Sequence, residues 1–131
     1  MNRIAIVEDD QGYRDTLFTY IKQYEQERDT AFEATPFEKA DDFLAVYNGD
    51  YDIILMDIMM PKMDGHQAAK AIRAMYADRS DAEEIPIIAL SANAFSEDVQ
   101  ASLDAGMNGH VSKPLNMEEV TKVIERNLNR P

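Results

Sequence analysis

The feature that most constrains this chain is a set of short apolar runs that do not alternate with polar residues. "RIAIV" (3–7), "YDIILM" (51–56) and "IPIIALSA" (85–92) are rich in β-formers and too short for helices. A strand with one face in water alternates; a strand covered on both faces need not. Runs of this kind belong to a parallel sheet with helices on both sides. Pro86 lies near the start of its run, where a strand tolerates proline.

Amphipathic stretches separate the runs. Tyr13, Leu17, Tyr20, Ile21 and Tyr24 recur at helical spacing and predict a helix over 13–26. Ala40, Phe43, Leu44 and Tyr47 mark a second over 38–48, with Gly49 as its stop. Ala68, Ala69, Ile72 and Met75 give the inner face of a third over 64–76, capped by Asp64. A fourth over 96–106 has Ser96 as cap, Val99 and Leu103 facing inward, and Gly106 at its end. A fifth over 116–128 has Asn116 as cap and Val120, Val123, Ile124 and Leu128 as its stripe. "AFEAT" (31–35) alternates weakly and suits an edge strand; "GHVS" (109–112) is a short last strand. Five strands thus alternate with five helices, and right-handed crossovers leave few topologies. With 131 residues and no repeat, low-complexity segment or linker, the expectation is one domain over 1–131.

Charge removes some functions. The net charge is −12, from 25 acidic against 13 basic residues. That field repels phosphate backbones and anionic membranes, so neither is expected as a partner. The chain has no cysteine, which excludes disulfides and thiolate chemistry. No apolar run is long enough to span a bilayer, and the acids in "MNRIAIVEDD" do not suit a signal peptide. A cytoplasmic setting is compatible with these features.

Ligands of such sheets sit beyond the carboxyl ends of the strands, where strand order reverses. The first run ends at Val7 and is followed by Glu8, Asp9 and Asp10; the third ends at Asp57, the fourth at Ser91 and the fifth at Lys113. Carboxylates brought close take up protons unless a cation intervenes. Oxygen ligands without His or Cys suit Mg²⁺, with Mn²⁺ as a substitute. Lys113 adds a compact positive charge and Ser91 a hydroxyl. Together they would compensate a phosphoryl group placed on Asp57, a nucleophile held rigidly at a strand end. Taken singly, each has an ordinary alternative. Asp57 would serve as a turn or capping residue, Glu8 and Asp9 as a solvated loop, Asp10 as a cap for the first helix, and Lys113 as a surface lysine.

The ordered set "VEDD" (7–10), "MDIMMPKMDG" (56–65), "LSAN" (90–93) and "SKP" (112–114) resembles the receiver domains of bacterial two-component response regulators over the whole chain. The resemblance implies a flavodoxin-like, doubly wound (βα)5 fold with strand order 2-1-3-4-5. It implies that Asp57 accepts a phosphoryl group from a histidine kinase or histidine phosphotransfer protein. Glu8, Asp9, Asp57 and the backbone carbonyl of Met59 would hold Mg²⁺, while Ser91 and Lys113 would contact the phosphoryl group. Pro61 would shape the loop after the third strand, and Gly65 suits the turn into the next helix. The output would be a changed face of the fourth helix, fifth strand and fifth helix, read by an effector or fused output domain, with a homodimer possible on phosphorylation. Such a domain catalyses only its own phosphorylation and dephosphorylation.

Two departures matter. Receivers often carry Tyr or Phe three residues before the lysine as a switch; here the residue is His110, which suits either a switch or an exposed sheet histidine. The stretch "ANAFSEDVQASLDAGMNGHVSKP" looks like receivers of hybrid sensor kinases, while the first half looks like receivers that precede DNA-binding domains. Met59 and Asn93 occupy the positions that tune phosphoryl lifetime. Methionine orients water poorly, so slow self-dephosphorylation is expected. Two other functions fit the residues less well. A metal-dependent phosphohydrolase of the haloacid-dehalogenase type needs an acid where Met59 stands. An interaction module that is never phosphorylated would not need every receiver position filled.

Overall fold

The computed structural model describes residues 2–47, 51–58, 65–75, 85–91 and 96–128. In chain order these form β1 (Asn2–Val7), α1 (Gln11–Arg28), β2 (Phe32–Phe37), α2 (Ala40–Val46), β3 (Ile53–Asp57), α3 (Gly65–Met75), β4 (Ile87–Ser91), α4 (Ser96–Asp104), β5 (Gly109–Ser112) and α5 (Met117–Leu128). The strands make one parallel sheet in the order β2-β1-β3-β4-β5. Strand order reverses between β1 and β3, which opens a crevice at their carboxyl ends.

The unbroken apolar runs now have their reason. Every residue of β3 and of β4 is buried. Successive side chains point to opposite faces, and each face has its own core. Ala5, Val7, Ile54, Met56, Ile87 and Ala89 pack with Ala40 and Phe43 of α2 and Ala68, Ala69 and Ile72 of α3. Ile4, Ile6, Ile53, Leu55, Ile88 and Leu90 pack with Leu17 and Ile21 of α1 and Val120 and Ile124 of α5. Burying one such side chain contributes about 1.5–3 kcal/mol, so a one-residue slip of β3 would exchange two filled cores for two misfits. β2 lies at the edge, where Pro36 costs little because one side of the strand makes no ladder.

Helix ends follow local chemistry. Asp10 caps α1, its Oδ1 accepting the Tyr13 N–H at 3.0 Å. Asn116 caps α5, its Oδ1 accepting the Glu119 N–H at 2.8 Å. After α4, the Met107 N–H reaches the Ser102 carbonyl and the Gly106 N–H the Leu103 carbonyl, both at 3.0 Å. This paired closure needs a left-handed residue, and Gly106 has φ +96°.

Two expectations change. α2 stops at Val46 rather than running to 48, because Tyr47 turns extended (φ −71°, ψ 129°) and stacks on Phe43 and Tyr51, with ring centroids 5.0 and 6.3 Å away. Leu103 does not face inward; it is 54% exposed, and Ser102 and Ala105 take the buried side of α4. Ser102 can be buried because its hydroxyl meets His66 Nε2 of α3 at 3.0 Å. Gly49, Met59, Pro61, Asp64 and Asn93 lie outside the described residues, as do the side chains of Ser96 and Val99.

Candidate functional site

The carboxyl edge of the sheet gathers the acids. Glu8 follows β1 directly and is fully buried, its N–H bonded to the Phe37 carbonyl of β2 at 3.0 Å. Asp57 is the last residue of β3 and only 2% exposed. Asp9 beside them is exposed. Carboxylate oxygens of Glu8, Asp9 and Asp57 all lie within 4.8 Å of one another. Ser91, the last residue of β4, is buried, and its carbonyl accepts the Lys113 N–H at 2.7 Å. That bond ties the end of β4 to the residue that supplies the cation. Lys113 Nζ then stands 2.7 Å from Glu8 Oε1 and 3.4 Å from Asp57 Oδ1.

The pocket carries more acid than it can balance. Burial raises the pKa of Glu8, and so does its hydrogen bond to Asp57; Lys113 pulls the other way, and the result is about 8. Burial by itself would lower Lys113, but the hydrogen bond to Glu8 and the charges of Asp57 and Glu8 outweigh it, so its pKa is raised. Lys113 therefore stays charged beside a Glu8 carboxyl that holds its proton near neutrality. A divalent cation would replace that proton, and the oxygen-only donor set fits a hard ion.

Several residues support this group. Asp10 N–H bonds Glu8 Oε2 at 3.2 Å. Arg14 Nη1 donates to the Glu8 carbonyl at 2.8 Å, and Arg14 Nη2 lies 3.4 Å from Glu38 Oε1. The Tyr13 ring lies under Lys113, its centroid 4.3 Å from Nζ. Gly65 is fixed by space: a Cβ there would come within 2.5 Å of the Asp57 carbonyl oxygen. This is close approach to the backbone rather than an unusual dihedral.

The sequence-expected residues Glu8, Asp9, Asp57 and Lys113 are thus brought together, and Ser91 stands at the end of the strand next to Asp57. Met59 lies outside the described residues. His110 of β5 is half-buried rather than exposed, and its Nε2 is buried with no hydrogen-bond partner among the described residues. Tyr13 and Arg14 were missed as site residues. Tyr13 stands at helical spacing with Leu17, Tyr20 and Tyr24, so the sequence presents it as part of the apolar stripe. The only available signal was its position one turn after the acids.

A doubly wound five-stranded parallel sheet with buried acids and a lysine at its switch point defines a flavodoxin-like domain. The chain belongs to the response regulator receiver domain family, which it matches over residues 4–125. It is 36% identical over 98% of its length to the transcriptional regulatory protein RprY of Bacteroides fragilis, spanning 50% of that protein. It is 39% identical over 61% of its length to the sensor protein GacS of Pseudomonas syringae, spanning 9% of that protein. Among solved structures it is similar to the receiver domain of sensor histidine kinase PA1611 from Pseudomonas aeruginosa, described with magnesium coordinated in its active site cleft. That likeness has 27% identity, a TM-score of 0.81 and 98% of each chain covered. The chemotaxis response regulator CheY4 of Vibrio cholerae shares the fold at 24% identity, with a TM-score of 0.81 and coverage of 98% and 99%. Response regulators and hybrid kinases both stand among the relatives, in keeping with the mixed character of the sequence. No helix among the described residues is long and apolar enough to cross a membrane.

Proposed function

We propose that this chain is a phosphorylation-dependent switch in which Asp57 takes a phosphoryl group from a histidine kinase or histidine phosphotransfer protein. The observation that carries the reading is the buried Glu8–Asp57–Lys113 group at the switch point, with Lys113 Nζ 2.7 and 3.4 Å from the two carboxylates. One Asp57 oxygen bonds to phosphorus as the phosphorus–nitrogen bond of a phosphohistidine breaks. The nitrogen keeps the electron pair and takes a proton from solvent. Glu8, Asp9 and Asp57, with the Met59 carbonyl, are the residues that would hold Mg²⁺, or Mn²⁺ in its place. Bound there, the cation supplies positive charge against the phosphoryl oxygens. Lys113 offsets the remaining charge, and the Ser91 hydroxyl donates to a phosphoryl oxygen. In this reading the domain catalyses only its own phosphorylation and dephosphorylation.

Ser91 ends β4 and Lys113 directly follows β5, so their movement toward the phosphoryl group would shift the face made by α4, β5 and α5. The group need only favour one of two conformers by a few kcal/mol. An effector, a fused output domain or a second phosphorylated copy reads that face. In this reading the domain spans 1–131 and works in the cytoplasm as one part of a signalling pathway, which the family match over residues 4–125 supports. The test is stoichiometric labelling by acetyl phosphate with Mg²⁺, lost in Asp57→Asn. Equal labelling of that variant, or continuous turnover of a small phosphate ester, would contradict the assignment.

A further inference from the structure

The first turn of α1 carries a group that no part of the phosphoryl reading uses. Tyr13 is half-buried and its ring lies 4.3 Å from Lys113 Nζ, while the Lys113 side chain is only 9% exposed. Tyr13 is fixed from the acid loop itself: its N–H bonds Asp10 Oδ1 at 3.0 Å, and Asp10 N–H bonds Glu8 Oε2 at 3.2 Å. The aromatic face is thus registered to the same carboxylates that the lysine pairs with. A lysine has four rotatable bonds and a strongly hydrated head, so a free Lys113 would spend time pointing to water. An aromatic face beneath the ammonium attracts it and removes water from one side, and the attraction strengthens where the cation is desolvated.

Resting on the phosphoryl-acceptor reading above, we propose that Tyr13 is a positioning residue for the phosphorylation of Asp57. Its ring face holds the Lys113 ammonium in the pocket, where charge develops on the transferring phosphoryl group. Holding the cation before the donor arrives lowers the reorganisation needed in the transition state, so the effect falls on the maximal rate rather than on donor binding. The phenol hydroxyl plays no part. Because Tyr13 is one turn into α1 and Lys113 follows β5, the contact also joins two segments 100 residues apart at the rim of the pocket.

The test uses the 131-residue chain with Mg²⁺ and acetyl phosphate, following phosphorylation by intact mass. Tyr13→Phe should phosphorylate at the wild-type rate. Tyr13→Leu should lose about three- to tenfold in maximal rate, the range expected for a partly desolvated cation–π contact, with half-saturating donor concentration unchanged. The ring-current shift of the Lys113 ε-methylene protons should persist in Tyr13→Phe and vanish in Tyr13→Leu. Replacing Tyr13 by phenylalanines bearing one, two and three fluorines keeps the shape while draining the ring face, and the rate should fall stepwise. A flat fluorine series, a Tyr13→Leu rate equal to wild type, or a Tyr13→Phe rate as low as Tyr13→Leu would overturn the role of the ring. The fluorine series decides the matter even where Tyr13→Leu folds poorly. Failure of the wild type itself to label would instead count against the phosphoryl-acceptor reading.

Discussion

At the amino end of the sheet Arg3 sits against Asp52, Glu33 and Tyr51; at the carboxyl end Lys113 sits against Glu8, Asp57 and Tyr13. The ingredients match: a base, two acids and an aromatic ring. The outcomes differ because of burial. Asp52 is exposed and takes the Arg3 backbone N–H at 2.7 Å, while its own N–H returns to the Arg3 carbonyl at 2.8 Å. Glu33 pairs with Arg3 at 3.7 Å from an exposed position, and the guanidinium covers the Tyr51 ring at 4.7 Å. Water screens both acids, so the charges there are structural. At the other end Glu8 and Asp57 are both buried and one lysine faces the two of them. The excess negative charge has nowhere to go except onto a proton or a cation. The function proposed above uses the end where the fold leaves charge uncompensated.

The strongest way to break this contrast is to remove each base. Lys113→Ala should destabilise the metal-free chain by about 3–5 kcal/mol at pH 9, since it leaves buried carboxylates unpaired. The loss should shrink toward pH 6, where Glu8 holds a proton. Arg3→Ala should cost about 1 kcal/mol at every pH in that range, as expected for a partly exposed ion pair and ring contact. Urea unfolding across pH measures both. Equal pH dependence in the two variants would erase the distinction.

A second test addresses the proton on Glu8. The folded pKa of Glu8 is raised to about 8 from an ordinary carboxyl value. Its contribution to stability is therefore fully present below the unfolded value and lost as pH rises through the folded one. The metal-free chain should lose stability from about pH 4.5 upward and finish losing it above pH 8. Mg²⁺ should bind more tightly as pH rises over the same window and release close to one proton per ion near pH 7. Calorimetry in buffers of different ionisation enthalpy reads that proton. Binding without proton release would mean that Glu8 is already ionised. The smallest expected effect is that of Arg14→Ala. This variant frees the Glu8 carbonyl and gives up only the exposed pair with Glu38, leaving Glu8, Asp9 and Asp57 in place, so Mg²⁺ affinity should fall about tenfold while the unfolding midpoint moves little.

The architecture was legible because its signals are local or periodic. β3 and β4 are apolar up to their last residues, Asp57 and Ser91, Asp10 and Asn116 cap their helices through bonds three residues long, and Gly106 ends α4 through its own dihedral. The acids were legible because strand ends in a parallel sheet share an edge, so Glu8 and Asp57 had to meet. What escaped depends on partners distant in sequence. Ser102 is buried in place of Leu103 because His66, 36 residues earlier, accepts or donates to its hydroxyl. A stripe of Val99 and Leu103 at helical spacing contains no trace of that histidine. Tyr47 leaves α2 for a stack with Tyr51, which helix propensity does not weigh. Tyr13 satisfied the helical stripe so well that its second neighbour, Lys113, was hidden by the pattern itself.

One guanidinium carries a further consequence. Arg73 of α3 reaches the Gly106 carbonyl through Nε at 3.1 Å and Nη2 at 2.7 Å, and Asn108 Oδ1 through Nη2 at 2.7 Å. Asn108 in turn exchanges bonds with Ile87, accepting its N–H at 3.0 Å and donating to its carbonyl at 2.8 Å. Positions 73 and 108 therefore form one inheritable unit. A chimaera that grafts α3 from a relative without the turn before β5 would separate a fork from its socket, and its crossover points are best set outside residues 65–112.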